Sequence, residues 1–266
     1  MALHPTADQL FVLELNGQRV QKFSADGRKF LGKFGSAGSG KLQFNGPWAM
    51  AIDPRPPHHL FIADTDNERV QVVTVDGAFV REFGKGKLGG PSGVAIHPVS
   101  GRVFVADRGH DAVLVFDGSS SDAFLFQFGS RGSGDGQLNT PYHLCIDAAA
   151  EEVFVAERDN HRVSVFSTSG EFRRRFGSVG SADGQLKYPV GIALPPSRSE
   201  IIVADQVNHR LQVFDRQTGA FLRSYGSKGS DAGKFSYPCG VCVHPVSGTI
   251  YVCDRDNHRL QILTAQ

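Results

Sequence analysis

Cysteine, methionine and net charge are all scarce in this chain of 266 residues, which has 4 Cys, 2 Met and a formal net charge of +1. A charge balance so near zero gives no indication of a nucleic-acid or membrane partner from composition alone. The sequence has no run of about 18 consecutive apolar residues, so no transmembrane helix is predicted. The opening stretch MALHPTADQL lacks the basic and apolar regions of a secretory signal. The cysteines include a single CxxC motif, from Cys239 to Cys242. So few cysteines, without a second CxxC motif, argue against a disulfide framework or zinc site and favour a cytoplasmic (intracellular) location.

One nine-residue pattern recurs along the chain six times. The clearest copies are RDNHRVSVF at 158–166, QVNHRLQVF at 206–214 and RDNHRLQIL at 255–263. Looser copies are LNGQRVQKF at 15–23, TDNERVQVV at 65–73 and RGHDAVLVF at 108–116. An Asp, a His and an Arg side by side resemble a catalytic cluster. Six copies without a recurring Ser or Cys nucleophile beside them indicate repeat architecture instead.

Each repeat contains short apolar runs of strand length that are separated by turn residues. In the fifth copy the runs are Gly191–Leu194, Ile201–Asp205, Arg210–Asp215 and Ala220–Tyr225. A glycine between the third and fourth runs favours a tight hairpin. Successive copies are spaced by roughly 43 to 50 residues. This arithmetic predicts an all-β fold, a six-bladed β-propeller with mostly four-stranded antiparallel blades.

The repeats run from one end of the chain to the other, which predicts a single propeller domain over 1–266. The approximate repeats are 1–43, 44–88, 89–138, 139–186, 187–235 and 236–266. The last copy supplies only three strands, and the first lacks the front of its first strand. We therefore predict a three-stranded last blade whose open edge, Arg259–Leu263, offers a surface for self-association. We also expect the chain to be a fragment of a longer protein.

A carboxylate ends the second strand of every copy, and an arginine follows five residues later in all copies except the third, which has Ala112. The intervening turn holds the two close enough for a charge-assisted pair, which we interpret as structural. The predicted pairs are Asp64–Arg69, Glu157–Arg162, Asp205–Arg210 and Asp254–Arg259. We expect the asparagines inside these turns, such as Asn208, to adopt left-handed backbone. His161, His209 and His258 are expected to pack between neighbouring blades.

The pattern P-x-G-[VI]-[AC]-[ILV], followed by V-A-D-x-x-N-H-R-[VL]-Q-V-F, resembles the NHL-repeat family over nearly the whole chain. The best copies are Pro189–Phe214 and Pro238–Leu263. The resemblance implies a six-bladed propeller like the NHL domains of tripartite-motif proteins, which are recognition platforms for RNA or for proteins. It also implies an alternative, because the divergent peptidyl-glycine amidating lyases are enzymes that use zinc held by His, with calcium. The fold alone does not decide between these functions.

One mouth of the predicted channel collects aromatic and basic residues where the repeats differ most. The predicted ligand-binding face consists of Trp48, Arg108, Tyr142, His143, Arg158, Tyr188, Tyr237 and Arg255. Exposed aromatics beside arginine suit base stacking with phosphate contact, and such a face also suits a protein partner. Tyrosines that merely fill the channel are the structural alternative. We predict a non-catalytic recognition scaffold that binds protein or RNA and has no cofactor.

The residues that follow the first strand of each repeat could form a ring of metal ligands. Four of them are His4, Asp53, His97 and His244. A metal-dependent enzyme of the propeller lyase or lactonase type would need such a site. Ring positions in separate blades lie too far apart for a coordination shell of about 2.1 Å. The sequence therefore favours a protein without catalytic activity and predicts no metal, and it leaves the enzyme alternative open.

Overall fold

The computed structural model describes residues 1–119, 121–195 and 199–263, so the end of the sixth predicted repeat, 264–266, lies outside the described residues. The described part contains strands and three single 3₁₀ turns, at Thr65–Asn67, Gln206–Asn208 and Arg255–Asn257. The chain divides into two compact units, Met1–Phe128 and Gly129–Gln266. A single domain over 1–266 stays a prediction.

The first unit contains three four-stranded antiparallel sheets, each in simple sequential order. The first sheet consists of β1 (Ala2–Leu3), β2 (Gln9–Glu14), β3 (Arg19–Ser24) and β4 (Phe30–Phe34). A short parallel pair follows, β5 (Ser36–Ala37) and β6 (Gln43–Phe44). The second sheet consists of β7 (Pro47–Ile52), β8 (Leu60–Asp64), β9 (Arg69–Val73) and β10 (Phe79–Phe83). The third consists of β11 (Pro91–Ile96), β12 (Val103–Asp107), β13 (Ala112–Phe116) and β14 (Phe124–Phe128).

The second unit repeats this plan with two four-stranded sheets and one of three strands. Its first sheet consists of β15 (Pro141–Asp147), β16 (Glu152–Glu157), β17 (Arg162–Ser167) and β18 (Phe172–Phe176). The next consists of β19 (Pro189–Ala193), β20 (Glu200–Asp205), β21 (Arg210–Asp215) and β22 (Phe221–Tyr225). The last consists of β23 (Pro238–Val243), β24 (Ile250–Asp254) and β25 (Arg259–Leu263).

These six sheets are the blades of a six-bladed β-propeller, so the predicted fold class is confirmed. The strand β21 has the bounds that the apolar pattern predicted. Among the described residues, the last blade has three strands, as its sequence indicated. The second and third strands are the most buried, because both faces of these strands pack against Val, Ile and Phe side chains of their own and neighbouring sheets.

The two aromatics of the fourth strand β18 pack against different blades. Phe176 at the end of β18 contacts Phe214 of the next blade, with ring centroids 5.0 Å apart. Phe172, at the start of the same strand, instead packs on Phe166 of its own blade at 5.7 Å. The register shifts between Val165 and Phe166, which re-aims the side chains on either side of the irregularity. In β18 one aromatic therefore packs against the next blade, and the other packs within its own blade.

The prediction of left-handed asparagines is wrong. The left-handed residue is the next one along, for example His209 with φ 56° and Glu68 with φ 53°. The asparagine uses its side chain instead, since Asn208 Nδ2 donates to Asp205 at 2.8 Å and to the carbonyl of Gly180 at 2.8 Å. It thus ties the turn to the connector that precedes the blade. The predicted glycine hairpins do adopt positive φ, as in Gly219 at 74°.

Candidate binding surface

A carboxylate–arginine network fixes the turn between the second and third strands. Arg210 Nε donates to Asp205 at 2.8 Å, and its Nη2 donates to the carbonyls of Ala182 and Gln185 at 2.8 and 3.0 Å. The other pairs singled out in the sequence have the same geometry: Asp64–Arg69 at 2.8 Å, Glu157–Arg162 at 2.6 Å and Asp254–Arg259 at 2.8 Å. The arginine joins its own turn to the preceding connector, so the residues displayed by both segments are held in register.

Histidine and tyrosine side chains join consecutive repeats of the second unit. The backbone N–H of Tyr188 donates to Nδ1 of His161 at 3.1 Å, and the two rings meet edge to face at 4.6 Å. Tyr237 and His209 repeat both contacts, at 3.1 and 4.6 Å. Burial lowers the pKa of both histidines below its usual value, which keeps Nδ1 deprotonated and able to accept. His161 and His209 therefore contact the following repeat, whereas His258 is exposed.

These histidines predict a loss of stability in acid. Because both rings bind a proton less readily in the folded protein than in the unfolded chain, their contribution is complete above about pH 6.5 and falls as the pH drops below that value. Replacing His209 with glutamine should reduce the fall in melting temperature between pH 7 and pH 5, because glutamine does not titrate. Gln18 occupies the same repeat position with φ 46°, so the backbone accepts this residue.

The acid-stability test compares melting temperatures of the two proteins across this pH range. The charged groups near His209 are Lys228, Asp205, Asp254 and Asp256, and the replacement leaves all four in place. An unchanged pH profile in the glutamine variant would show that His209 does not carry the effect.

The guanidinium groups of two arginines lie over these tyrosine rings. Arg158 is 4.9 Å from the ring centre of Tyr188 and 5.7 Å from that of Tyr142. Arg255 is 5.1 Å from the ring centre of Tyr237 in the third blade of the unit. We call Tyr142, Arg158, Tyr188, Tyr237 and Arg255 the Tyr–Arg surface. Cation–π contacts of this kind hold both partners in a defined position.

Each arginine of the Tyr–Arg surface also has a carboxylate partner one residue along. Arg158 Nη1 lies 3.0 Å from Asp159, and Arg255 Nε lies 2.7 Å from Asp256. The arginine side chains remain 36% and 42% exposed, so solvent and a ligand can reach them. The surface is consequently polar, mixed in charge and partly immobilised.

Tyr142 lies deeper than the other predicted members of the face in this unit, and the neighbouring His143 is half-buried. Tyr142 is only 7% exposed, and the guanidinium of Arg158 lies over its ring. Nδ1 of His143 is buried, and none of the described residues is hydrogen-bonded to it. Burial lowers the pKa of His143 to about 4, so the ring is neutral. His143 occupies a repeat position held by Gly191 and Gly240 in the two following blades, a substitution that the sequence already shows.

The remaining predicted members belong to the first unit. Trp48, on β7, is half-buried, and Arg108 follows β12. Arg108 Nη2 lies 3.8 Å from Asp66, and its side chain is 35% exposed. The pairing of a basic residue with a nearby aspartate therefore occurs in this unit as well.

The four residues considered as a metal ring, for which no metal was predicted, act as turn acceptors. Nδ1 of His4, His97 and His244 accepts backbone N–H groups of the following residues, at 2.9 Å from Ala7 and 3.1 Å from Ser100 and Ser247. Asp53 accepts the N–H of Arg55 at 2.9 Å. Within 1–119, 121–195 and 199–263, no group of three or more His, Cys, Asp or Glu side chains could hold a metal ion. These side chains stabilise the turn between the first and second strands.

Comparisons with known proteins match the repeats. The NHL repeat family matches residues 235–263. Protein brain tumor of Drosophila melanogaster is 33% identical over 97 residues, which cover 35% of this chain and 9% of that protein. Protein lin-41 of Caenorhabditis elegans is 36% identical over 77 residues, 28% of this chain and 6% of that protein. Peptidylglycine alpha-amidating monooxygenase of Rattus norvegicus is 34% identical over 82 residues, covering 29% and 8%. The matches thus span less than a tenth of these relatives.

Two solved structures share the fold over almost the whole chain. A hydrazine synthase chain of Kuenenia stuttgartiensis has a TM-score of 0.69 at 14% identity, covering 99% of this chain and 94% of that one. An auxiliary nutrient binding protein of Bacteroides thetaiotaomicron has a TM-score of 0.72 at 12% identity, covering 98% and 67%. At such identities the likeness shows the fold alone. The class is thus a six-bladed β-propeller. The chain contains an NHL repeat at 235–263, and its resemblance to the NHL-repeat propellers, predicted from the sequence, is confirmed.

In the portion of the chain that the structure describes, no helix is long and apolar enough to cross a membrane.

Proposed function

We propose that the chain is a non-catalytic recognition module and that its Tyr–Arg surface binds a protein partner. The observation that carries this proposal is the repeated stacking of a half-exposed arginine on a tyrosine, with Arg158 on Tyr188 and Arg255 on Tyr237. Tyrosine and arginine supply much of the binding energy at protein interfaces, where fixed side chains lose little entropy on association. The ion pairs with Asp159 and Asp256 fix the arginines further.

The charge of this surface favours a protein over RNA. A nucleic-acid surface gains affinity by neutralising phosphates with unpaired cations, and it stacks bases on open aromatic faces. Here Arg158 and Arg255 already have carboxylates beside them, and guanidinium groups cover faces of the tyrosine rings. A mixed-charge protein surface can match this pattern without displacing the existing pairs. The capture experiment described below distinguishes RNA from a protein partner.

The enzyme alternative has less support from the geometry. Nδ1 of the three ring histidines, His4, His97 and His244, is committed to backbone N–H groups. The rat peptidylglycine alpha-amidating monooxygenase matches this chain over only 82 residues, and a shared short segment does not transfer an activity. We also propose a scaffold role, an intracellular location and self-association at the edge of β25. Each of these needs its own test.

Charge reversal at Arg158 tests the proposal. Partners captured on the wild-type protein would be purified, and their dissociation constants would be measured for each variant. Arg158→Glu should weaken binding by roughly 30-fold or more, because it removes a central cation and repels Asp159. Arg28→Glu is the matched control, since Arg28 is 89% exposed in the hairpin between β3 and β4. Its affinity should stay within about twofold of wild type.

Two outcomes of the capture experiment would contradict the proposal. Equal losses in the Arg158 and Arg28 variants would show a general charge effect. Capture that disappears with nuclease, together with an affinity that falls steeply with salt, would identify RNA as the ligand.

A further inference from the structure

Two cysteines face each other across the first two strands of the last blade. Cys239 lies on β23 and Cys253 on β24, and both are half-buried. The pairing register runs from Pro238 opposite Asp254 to Val241 opposite Val252, with an irregularity between them. Cys239 and Gly240 therefore share Cys253 as their opposite residue. Sγ of Cys239 lies 3.7 Å from the backbone carbonyl oxygen of Cys253, so the Cys239 side chain is directed towards that residue.

The same two positions carry no cysteine in the four preceding repeats. The corresponding pairs are Trp48 and Ala63, Ser92 and Ala106, Tyr142 and Ala156, and Val190 and Ala204. In the third blade the Ser92 hydroxyl donates to the carbonyl of Ala106 at 3.1 Å, which is the oxygen counterpart of the Cys239 contact. The third and last blades thus direct the first of these side chains towards the backbone of the second residue. In the last blade both of them are thiols.

The environment of the pair differs from that of the other two cysteines. The neighbouring Cys239 thiol lowers the pKa of Cys253 below its usual value. Burial raises the pKa of Cys242 to about 12, and it also raises the pKa of the Cys145 thiol. The thiolate therefore forms more readily on Cys253 than on Cys145 or Cys242, and a second thiol that can resolve its oxidation products lies opposite it.

We propose that Cys239 and Cys253 are a reversible redox pair that a hydroperoxide oxidises to a disulfide within the blade. The Cys253 thiolate attacks the peroxide oxygen, which gives a sulfenic acid and hydroxide, and the hydroxide takes up a proton to become water. The Cys239 thiol then attacks the sulfenic sulfur, forms the S–S bond and releases a second water. Two thiols lose two electrons and two protons, and one hydrogen peroxide becomes two waters.

Strand geometry permits this bond. Opposite residues of a regular antiparallel pair have Cα atoms about 4.5 to 5.5 Å apart, inside the range of about 4.4 to 6.8 Å found for disulfides. At the irregularity Cys239 stays next to the regular pair of Pro238 and Asp254, and its Sγ reaches the carbonyl of Cys253. The pair also adjoins the Tyr–Arg surface, because Tyr237 and Arg255 are each two residues from one of the cysteines. Oxidation would fix the two strands beneath this part of the surface. That consequence for binding rests on the proposed function, whereas the thiol chemistry does not.

The chemical claim is tested on the whole chain with stoichiometric hydrogen peroxide at neutral pH. Free thiols are then alkylated under denaturing conditions and counted by intact mass. We expect loss of two of the four thiols, loss of two hydrogen atoms from the mass, and recovery with dithiothreitol. Cleavage after Lys234 and Arg255 leaves Cys239, Cys242 and Cys253 in one peptide. A Cys242→Ala background therefore assigns the bond.

Matched cysteine variants separate the pair from nonspecific oxidation. Cys239→Ser and Cys253→Ala should each abolish disulfide formation, whereas Cys145→Ser should leave it unchanged. Oxidation that reaches Cys145 or Cys242 first, that links two chains, or that stops at a sulfinic acid on one residue would overturn the proposal. Reduced and oxidised protein would then be compared for partner affinity. A disulfide that forms without changing an affinity dependent on Arg158 removes only the consequence for binding.

Discussion

Replacing Arg69 with alanine is expected to lower the free energy of unfolding by about 3–5 kcal/mol, the usual cost of removing one partner of a buried ion pair. The Arg69 side chain is 1% exposed, and that of Asp64 is fully buried. Its Nε donates to Asp64 at 2.8 Å and its Nη1 to Glu82 at 2.6 Å, while Nη2 donates to the carbonyls of Gly40 and Gln43. Alanine leaves a charge and two carbonyl oxygens in the interior without these donors.

The repeats supply the controls for Arg69. Arg19 makes the same pair with Glu14 at 2.7 Å, but its side chain is 37% exposed. Arg19→Ala should therefore cost only about 0–1 kcal/mol. Arg210, whose side chain is 13% exposed, should fall between them at about 1–3 kcal/mol. Urea unfolding of the three variants measures the series. Equal losses at all three sites would show that burial does not set the contribution of this motif.

The third blade shows what has to change when the arginine is missing. Ala112 stands at the arginine position, and Asp107 is still fully buried. Here the carboxylate accepts from the N–H groups of Gly89 and Gly109 at 2.7 and 2.9 Å, and it contacts His110 at 3.0 Å. The Gly89 contact has a counterpart in the second blade, where the N–H of Asn45 donates to Asp64 at 2.7 Å, and His110 stands at the position of Asn67. The N–H of Gly109 is the donor particular to the third blade, and an arginine-to-alanine substitution in another blade does not supply it, so the effect at Arg69 is expected to be large.

Local spacing made the blades and the ion pairs predictable from the sequence. A carboxylate and an arginine five residues apart belong to one hairpin, so their contact requires little knowledge of the rest of the fold. The side-chain contacts of Asn208 were not predictable in this way, because its Nδ2 donates to the carbonyl of Gly180, 28 residues earlier. The sequence also could not show that the ring histidines accept turn N–H groups, which depends on side-chain direction.

The candidate surface was predictable in composition but not in arrangement. Arg158 and Tyr188 could be placed at the same mouth because the turns after the second strands and the connectors that enter the first strands are expected at that mouth. Whether the guanidinium covers the ring or points to solvent depends on rotamers, on Asp159 and on the bond that fixes Tyr188 to His161. The burial of Tyr142 likewise depends on its neighbours in three dimensions. Covered rings and paired charges are what shift the expected ligand from RNA towards protein.

Gly191→Ala is expected to destabilise the protein by about 3 kcal/mol, at the upper end of the cost of overpacking. Gly191 lies in β19 where the backbone of β23 in the next blade passes close to it. A Cβ added at Gly191 would lie 2.0 Å from the carbonyl oxygen of Cys239 and 3.2 Å from the backbone nitrogen of Val241. Both atoms belong to the backbone, so relief requires the two strands to move apart. Glycine in a strand often marks such a close approach.

A second glycine variant separates this steric effect from backbone strain. Gly233 has φ 75°, and an added Cβ there meets nothing within 4 Å. Gly233→Ala should therefore cost only the left-handed penalty of about 1–2 kcal/mol. Melting temperatures rank the two variants, and hydrogen exchange of β19 and β23 amides locates the damage. We expect faster exchange in both strands for Gly191→Ala alone. If that variant loses no more stability than Gly233→Ala, the blades can move apart at this point without penalty, and the close approach of β19 and β23 does not contribute to the stability of the fold.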